Sequence, residues 1–414
     1  MVKKFLSKIK KDELLRGSIV LLIMINVFNL FNFIFHFIMA RMLDPTMYGI
    51  LAVLMSFVFI YAIPAEAIQT VISKHATRFN IKKEYGKTKD LLIVSLKKGL
   101  IIASILFVLF NIVYYFLFAK PLDIDFSLLF ISSIMIFSFF LFPVVRGILQ
   151  GEKRFYALGN NMVLESVLKL IIAVVLVWLG FGVYGAITGV VLAFVLFFIL
   201  SFLFIKNTLT AKRKSSGVEK VFRSNLPILI IVSGIVLFYS LDIILAKMIF
   251  PADVAGKYAV LSMIGKMIFF GTYAISKAMF PISVQRNEEK KNSNDLLKKS
   301  GLLVFGAVVF ALIVIGLFPK LIISILFGSQ YIDLSKYLIY VSGSFGILSL
   351  TNLFLLYGLS KNTIKTFESL SIVLFILAEA ILLLTIGNTL IKFTTIFITI
   401  NFAMLLWSVI IARR

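Results

Sequence analysis

The sequence predicts an all-α integral membrane protein with about twelve transmembrane helices in two pseudo-symmetric six-helix lobes. Three observations support this fold class: the composition, an internal repeat, and the placement of the basic residues. Hydrophobic residues make up 61% of the 414 positions and charged residues only 15%, with a mean hydropathy of +1.06. Soluble domains are usually about 45–50% apolar, so a chain of this composition belongs in a bilayer.

Twelve apolar runs are long enough to cross a membrane, because roughly 20 helical residues span the ~30 Å hydrocarbon layer. The first run is too long for the apolar region of a cleaved signal peptide, so we expect it to be retained. Residues 321–327 are apolar but too few to span, and we expect them to lie at the outer interface. The twelve runs are 17–40, 48–72, 99–118, 126–145, 160–180, 185–205, 227–246, 258–279, 301–318, 338–359, 367–384 and 393–411.

A repeated hexamer shows that the chain is two copies of one unit. The sequence ARMLDP at 40–45 returns as AKMIFP at 246–251, and GILAVL at 49–54 returns as GKYAVL at 256–261. Arg16 and Arg223 each open the apolar run that ends at the hexamer. We therefore expect an N-terminal lobe at 1–210 and a C-terminal lobe at 211–414. Six spans per copy is an even number, so the lobes share one orientation and a pseudo-twofold axis along the membrane normal.

The basic residues predict the topology. The chain carries 42 Lys and Arg against 19 Asp and Glu, which in a soluble protein would indicate a nucleic-acid partner. Here most cations lie in alternate gaps between the apolar runs, the pattern of cytoplasmic loops in multi-pass proteins. We therefore expect no nucleic-acid partner, a location in the cell membrane, and both termini in the cytoplasm.

Several kinds of chemistry have no motif in this sequence. Cys is absent, which excludes a disulfide, a thiol nucleophile and a Cys-based metal site. No phosphate-binding G-x-x-x-x-G-K-[ST] motif occurs, and no His or Cys cluster has metal-ligand spacing. We therefore expect a transporter that performs no covalent chemistry and has no cofactor, although an H⁺ or Na⁺ gradient could drive it.

Three motifs resemble the polysaccharide-biosynthesis flippases of the Wzx type. They are FPVVRGILQGEKRF at 142–155, GFGVYGA at 180–186, which predicts a glycine-rich turn, and FGSQY at 327–331. These flippases belong to the multidrug/oligosaccharidyl-lipid/polysaccharide (MOP) exporter superfamily. The resemblance implies a MATE-like, V-shaped fold with a central cavity, which turns polyprenyl-diphosphate-linked oligosaccharides from the cytoplasmic to the outer leaflet by alternating access. It also implies membrane lipids, a polysaccharide polymerase and glycosyltransferases of the same pathway as partners.

Five cations are candidates for binding the diphosphate headgroup. Arg146 lies at a cytoplasmic helix end, where a guanidinium can hold a phosphate through two parallel hydrogen bonds; the alternative is a topological anchor. Arg41 and Lys247 lie at equivalent outer ends of the first spans of the two lobes, where they could draw the headgroup outward or instead extend to lipid headgroups. Lys169 and Lys266 lie within apolar runs, where a charge normally faces protein or water.

Four carboxylates inside apolar runs are candidates for ion coupling: Asp242, Glu66, Glu379 and Glu165. A buried carboxyl can carry a proton or hold Na⁺, but it can also make an interhelical hydrogen bond. Glu165 and Lys169 lie four residues apart on one helix face and could pair with each other.

Two other functions are consistent with parts of the sequence. A cation-coupled multidrug exporter of the MATE type shares the fold, but its organic-cation substrates favour an acidic cavity and the candidates here are mostly basic. A membrane glycosyltransferase or polymerase would be expected to carry a large catalytic loop, and the longest loop predicted here has only about twenty-five residues.

Overall fold

The computed structural model describes residues 13–217, 226–289 and 291–413, and within these ranges the regular structure is helical. The tail at 1–12 and Arg223, the expected start of the second copy, lie outside the described residues. The same is true of 218–223, the second part of the link between the copies.

Nine α-helices of five or more residues lie in the described part of the first half of the chain. The long helices follow the apolar runs of the sequence, and several of them extend beyond the run into charged residues. The helices are α1 (Glu13–Met42), α2 (Pro45–Tyr61), α3 (Ala65–Ile81), α4 (Tyr85–Val113), α5 (Phe126–Ser133), α6 (Met135–Gly151), α7 (Phe155–Leu176), α8 (Gly182–Ser201) and α9 (Lys206–Thr210).

The second half contains seven helices within the described residues. They are α10 (Leu226–Ile249), α11 (Ala252–Glu288), α12 (Asn294–Leu317), α13 (Pro319–Leu326), α14 (Leu338–Ser360), α15 (Thr366–Ile386) and α16 (Leu390–Arg413). A 3₁₀ segment, Ser329–Tyr337, joins α13 to α14. Helix α13 has only 8 residues, which confirms that this apolar segment is too short to span.

The predicted number of spans is confirmed. Eleven helical stretches of the described chain are long and apolar enough to cross a membrane. One of them, Phe155–Thr210, contains both α7 and α8, which meet where Gly180 has a φ of 91°. Residues with a side chain rarely adopt that conformation, so the predicted glycine-rich turn separates two spans and the total is twelve.

A turn of three residues divides one predicted run in two. Residues 62–64 form a turn, so the run at 48–72 is shared between α2 and α3. Pro64 is the residue just before α3; proline lacks an N–H and disfavours helix in the residue before it. The sequence-based prediction treated this run as one continuous helix because it weighed hydropathy alone.

Close contacts divide the described chain into two compact units. Of the described residues, the first unit contains those up to 42 and from 61 to 217, and the second contains those from 43 to 60 and from 226 onward. The expected boundary at 210 and 211 falls within the last part of the first unit. Helix α2 belongs to the second unit although it comes early in the chain, and the turn at 62–64 is where the chain returns to the first unit.

Small residues bring helices of the first unit together. A Cβ on Gly147 would lie 2.7 Å from Ile72 Cβ, and one on Gly151 would lie 2.6 Å from Ala76 Cβ, so α3 and α6 are in close contact. A Cβ on Gly189 would lie 2.5 Å from Ala173 Cα, which joins α8 to α7. Glycine at position 189 thus allows close packing of α8 against α7.

The second unit contains a crossing of the two repeated helices. Helix α2 and helix α11 begin at equivalent positions of the repeat, and Gly49 and Gly256 are equivalent residues. A Cβ on Gly49 would lie 2.9 Å from Gly256 Cα, and one on Gly256 would lie 1.7 Å from the carbonyl oxygen of Pro45. The helices therefore cross at the repeated glycine, with backbone against backbone.

Candidate functional site

Polar residues of the first unit gather on one face of α7. Asn161, Glu165 and Lys169 follow each other at intervals of four residues, which places them one above another on the same side of a helix. Helix α6 brings Arg146 to this face, and α1 brings Asn32. We call these five residues the α7 cluster.

Arg146 is held on three sides. Its Nη2 lies 2.6 Å from Oε2 of Glu165, and its Nε donates a hydrogen bond of 2.9 Å to Oδ1 of Asn161. The guanidinium carbon lies 4.6 Å from the centre of the Phe142 ring. These contacts use Nε and Nη2 and leave Nη1 for a ligand, and the side chain keeps 13% of its surface exposed.

The pairing expected within α7 is not the one observed. Sequence spacing alone favours an ion pair between Glu165 and Lys169, but Glu165 pairs with Arg146. Lys169 instead donates a hydrogen bond to Oδ1 of Asn32, and its Nζ lies 4.8 Å from the centre of the Phe35 ring. The neighbouring helices offer both side chains a partner that the sequence of α7 does not contain.

The α7 cluster has an excess of positive charge. Two cations, Arg146 and Lys169, face one carboxylate, Glu165, and the remaining members are neutral amides. Lys169 is only 8% exposed, and a buried cation without a counter-ion is costly. An anionic ligand would supply the missing charge, so the cluster has the chemistry of an anion-binding site.

A second polar cluster lies inside the second unit, around Asp242 of α10. Tyr258, Ser262 and Lys266 are spaced by four residues along α11 and all donate hydrogen bonds to the Asp242 carboxylate. The Lys266 Nζ lies 3.3 Å from Oδ1, and both side chains are completely buried. Lys266 is therefore bonded to protein and has no exposed surface for a headgroup in this conformation.

Glu379 of α15 lies near this cluster and differs from it. The residue is 2% exposed, and within the described residues neither carboxylate oxygen has a hydrogen-bond partner. Its charged neighbour is Asp242. A buried carboxylate that receives no hydrogen bond is strongly disfavoured, so Glu379 remains a candidate for ion coupling.

The other candidates occupy helix ends. Arg41 is exposed in the last turn of α1, Lys247 is half-buried in the last turn of α10, and Glu66 is exposed in the first turn of α3. Each of the three has interactions with its surroundings. Arg41 and Lys247 belong to different units.

Sequence reasoning missed the neutral members of both clusters. Asn32 and Asn161 hold the cations of the first unit, and Tyr258 and Ser262 hold Asp242 in the second. The sequence contained a signal for these residues. Tyr258 and Ser262 precede Lys266 at intervals of four residues, and Asn161 precedes Glu165 at the same interval. An amide or hydroxyl that repeats at four-residue intervals with a charge in an apolar helix is a candidate partner for that charge.

Comparison with protein families gives one match over most of the chain. The model of a family described as "Polysaccharide biosynthesis protein" matches residues 14–287, a range that includes the α7 cluster and the cluster around Asp242. A comparison with curated protein sequences gave no match.

Solved structures similar to this chain are transporters of the MATE family. One is an inward-facing conformation of a multidrug resistance MATE family transporter of the MOP superfamily, with a TM-score of 0.72, 16% identity, and coverage of 93% of this chain and 94% of that chain. Another is an outward-facing conformation of such a transporter, with a TM-score of 0.64, 16% identity, and coverage of 97% and 94%. These similarities establish the fold.

Proposed function

Because the chain belongs to the polysaccharide biosynthesis protein family and has the fold of MATE transporters, we propose that it is a lipid-linked oligosaccharide flippase. It turns a polyprenyl-diphosphate-linked oligosaccharide from the cytoplasmic to the outer leaflet by alternating access. The observation that carries this proposal is the cationic α7 cluster, which lies among membrane-spanning helices. Its uncompensated charge suits the diphosphate, and its amides suit the hydroxyl groups of sugars.

Arg146 receives the headgroup in this scheme. Its guanidinium is already oriented by Asn161, Glu165 and Phe142, so little freedom is lost when a phosphate binds to Nη1. Arg41 and Lys247 act on the outer side, where they draw the headgroup out of the protein. The polyprenyl tail stays in the lipid throughout, which removes the need for an apolar tunnel.

The proposed energy source is an ion gradient that acts through the second unit. Glu379 is the carrier, because it is buried, lacks a hydrogen bond within the described residues and lies beside Asp242. Lys266 already neutralises Asp242, which leaves Glu379 to gain and lose a proton. An imposed pH gradient should drive wild-type protein, whereas Glu379→Gln should not respond to it.

The sign of the charge distinguishes this proposal from a multidrug exporter. Organic cations require acidic or aromatic surroundings, but the α7 cluster has more cations than carboxylates. The proposed flippase should therefore not extrude cationic dyes. Dye efflux driven by an ion gradient in vesicles that contain the purified protein would favour the exporter.

The decisive experiment measures reorientation of a fluorescent lipid-linked glycan in reconstituted vesicles. Arg146→Ala removes the hydrogen-bond donor to the phosphate. It should slow reorientation by at least about tenfold, because a charged hydrogen bond contributes roughly 1.5–3 kcal/mol. Arg286→Ala is the matched control, since Arg286 pairs with Asp295 at an exposed site. Equal rates for the two variants would refute cationic capture of the headgroup.

A further inference from the structure

We infer that Glu165 is a mobile counter-ion that passes between two cations of the α7 cluster. Without substrate it neutralises Arg146. When the phosphate of a headgroup binds Arg146, the carboxylate moves to Lys169, and the hydrogen bond from Lys169 to Asn32 is released. This inference rests on the proposed function, and it assigns to Glu165 the role of a positioning residue that couples headgroup binding to the contact between α1 and α7.

The first position of Glu165 is the observed one. Its Oε2 lies 2.6 Å from Arg146 Nη2, and the side chain keeps 15% of its surface exposed. Asn161 and Phe142 hold the guanidinium independently of Glu165. Arg146 would therefore keep its orientation after the carboxylate leaves, and a phosphate oxygen could take the same place.

The second position is available without movement of the backbone. Lys169 lies four residues after Glu165 on the same face of α7, the spacing at which a Glu and a Lys can pair. Lys169 now contacts a neutral amide and an aromatic ring, so a change of side-chain rotamer at Glu165 would give it an ionic partner.

Charge balance supplies the driving force. A phosphate on Arg146 would face the Glu165 carboxylate, and two neighbouring anions disfavour each other. The move to Lys169 separates these anions and neutralises the second cation. Before binding, one positive charge of the cluster is uncompensated; after binding of one phosphate charge, each cation has its own anion.

The move has a structural consequence, because Lys169 links two helices. Its hydrogen bond to Asn32 connects α7 to α1. A Lys169 that pairs with Glu165 no longer needs that bond, so α1 loses a polar contact when the headgroup arrives. Binding at Arg146 is thereby transmitted to α1, the helix that leads into the repeated hexamer.

The first test compares Glu165→Gln with Glu84→Gln. Both remove one carboxylate from the first unit, but Glu84 forms a surface pair with Lys87. Binding of inorganic diphosphate and of a short prenyl diphosphate to the full chain in detergent is measured by calorimetry. Glu165→Gln removes the competitor for Arg146, so it should bind roughly tenfold more tightly than wild type while glycan reorientation becomes slower. Affinity that is unchanged or weaker would overturn the inference.

The second test is a double-mutant cycle with Lys169→Met, which keeps the length of the side chain. Lys169→Met leaves Glu165 on Arg146 and should weaken diphosphate binding about tenfold. In the Glu165→Gln background the same change should have little effect. An equal loss in both backgrounds would show that Lys169 binds phosphate directly and would overturn the relay. If Lys169→Met does not fold, the first test decides alone. If neither wild type nor any variant binds diphosphate, the proposed function itself is contradicted.

Discussion

Replacing Gly256 by Ala tests the crossing of the two repeated helices. A Cβ at this position would lie 1.7 Å from the carbonyl oxygen of Pro45 and 2.6 Å from its carbon. Ordinary contact begins at 3.4 Å, twice the available distance. The obstructing atoms belong to the backbone, so no side-chain rotation can relieve the clash and α2 must move away from α11.

Two opposing effects determine how much Gly256→Ala changes the free energy of unfolding. An added methyl group in a packed core costs typically about 1–3 kcal/mol, and a rigid backbone on both sides places Gly256→Ala at the upper end. Alanine is favoured over glycine within a helix by roughly 0.5–1 kcal/mol, which offsets part of that cost. We expect Gly256→Ala to be destabilised by about 2 kcal/mol, a net figure from these two terms.

The assay is thermal unfolding of the purified protein in detergent, with two matched variants. Gly271 lies on the same helix, and a Cβ there would have no atom of the described residues within 4 Å, so Gly271→Ala should be neutral or slightly stabilised. Gly49→Ala should be intermediate, because its Cβ would meet Gly256 Cα at 2.9 Å. If Gly256→Ala unfolds at the same temperature as Gly271→Ala, α2 and α11 do not cross at the repeated glycine.

Two further predictions concern charged groups away from that crossing. Lys266→Met should destabilise the protein by about 3–5 kcal/mol because it leaves Asp242 buried without its cation. Adding Asp242→Asn should restore much of the loss. If the double variant instead loses the sum of the unfolding free energies that the two single variants lose, the ion pair is contradicted. Just before α5, the hydrogen bond from the Tyr184 hydroxyl, together with that from the Ser127 N–H, holds the pKa of Asp125 below its usual range. A lowered pKa contributes stability that is present above the unfolded value of about 4 and is lost as the pH falls through the folded pKa. Tyr184→Phe should therefore move the acid-induced loss of stability to higher pH. Coincident pH profiles of wild type and Tyr184→Phe would show that Tyr184 has no such effect.

The fold could be predicted in detail because its signals are local. Hydropathy over about 20 residues identifies a span, and the repeat of the ARMLDP hexamer revealed the duplication. The glycine-rich turn at Gly180 and the short helix α13 were also predicted. The break at 62–64 was missed because hydropathy continues through Pro64, whereas backbone hydrogen bonding does not.

The sequence predicted the charged residues of the candidate site but not which residues interact with each other. The sequence alone identified Glu165 and Lys169, because charges are rare in apolar runs. It identified Arg146 because a guanidinium at a cytoplasmic helix end can hold a phosphate. Spacing along α7 favoured Glu165 with Lys169, but the structure pairs Glu165 with Arg146 and Lys169 with Asn32. A helix sequence contains only the partners on its own surface, and the competing partners come from helices distant in the chain.

A duplicated bundle of membrane-spanning helices with buried charges follows from the sequence without any knowledge of the packing. The sequence shows that the glycines are repeated, but only the packing of the helices brings Gly49 against Gly256. Packing also encloses Asp242 among Tyr258, Ser262 and Lys266. The difference arises because hydropathy and helix formation depend on neighbours along the chain. Contact between helices depends on the shape and charge of both surfaces together.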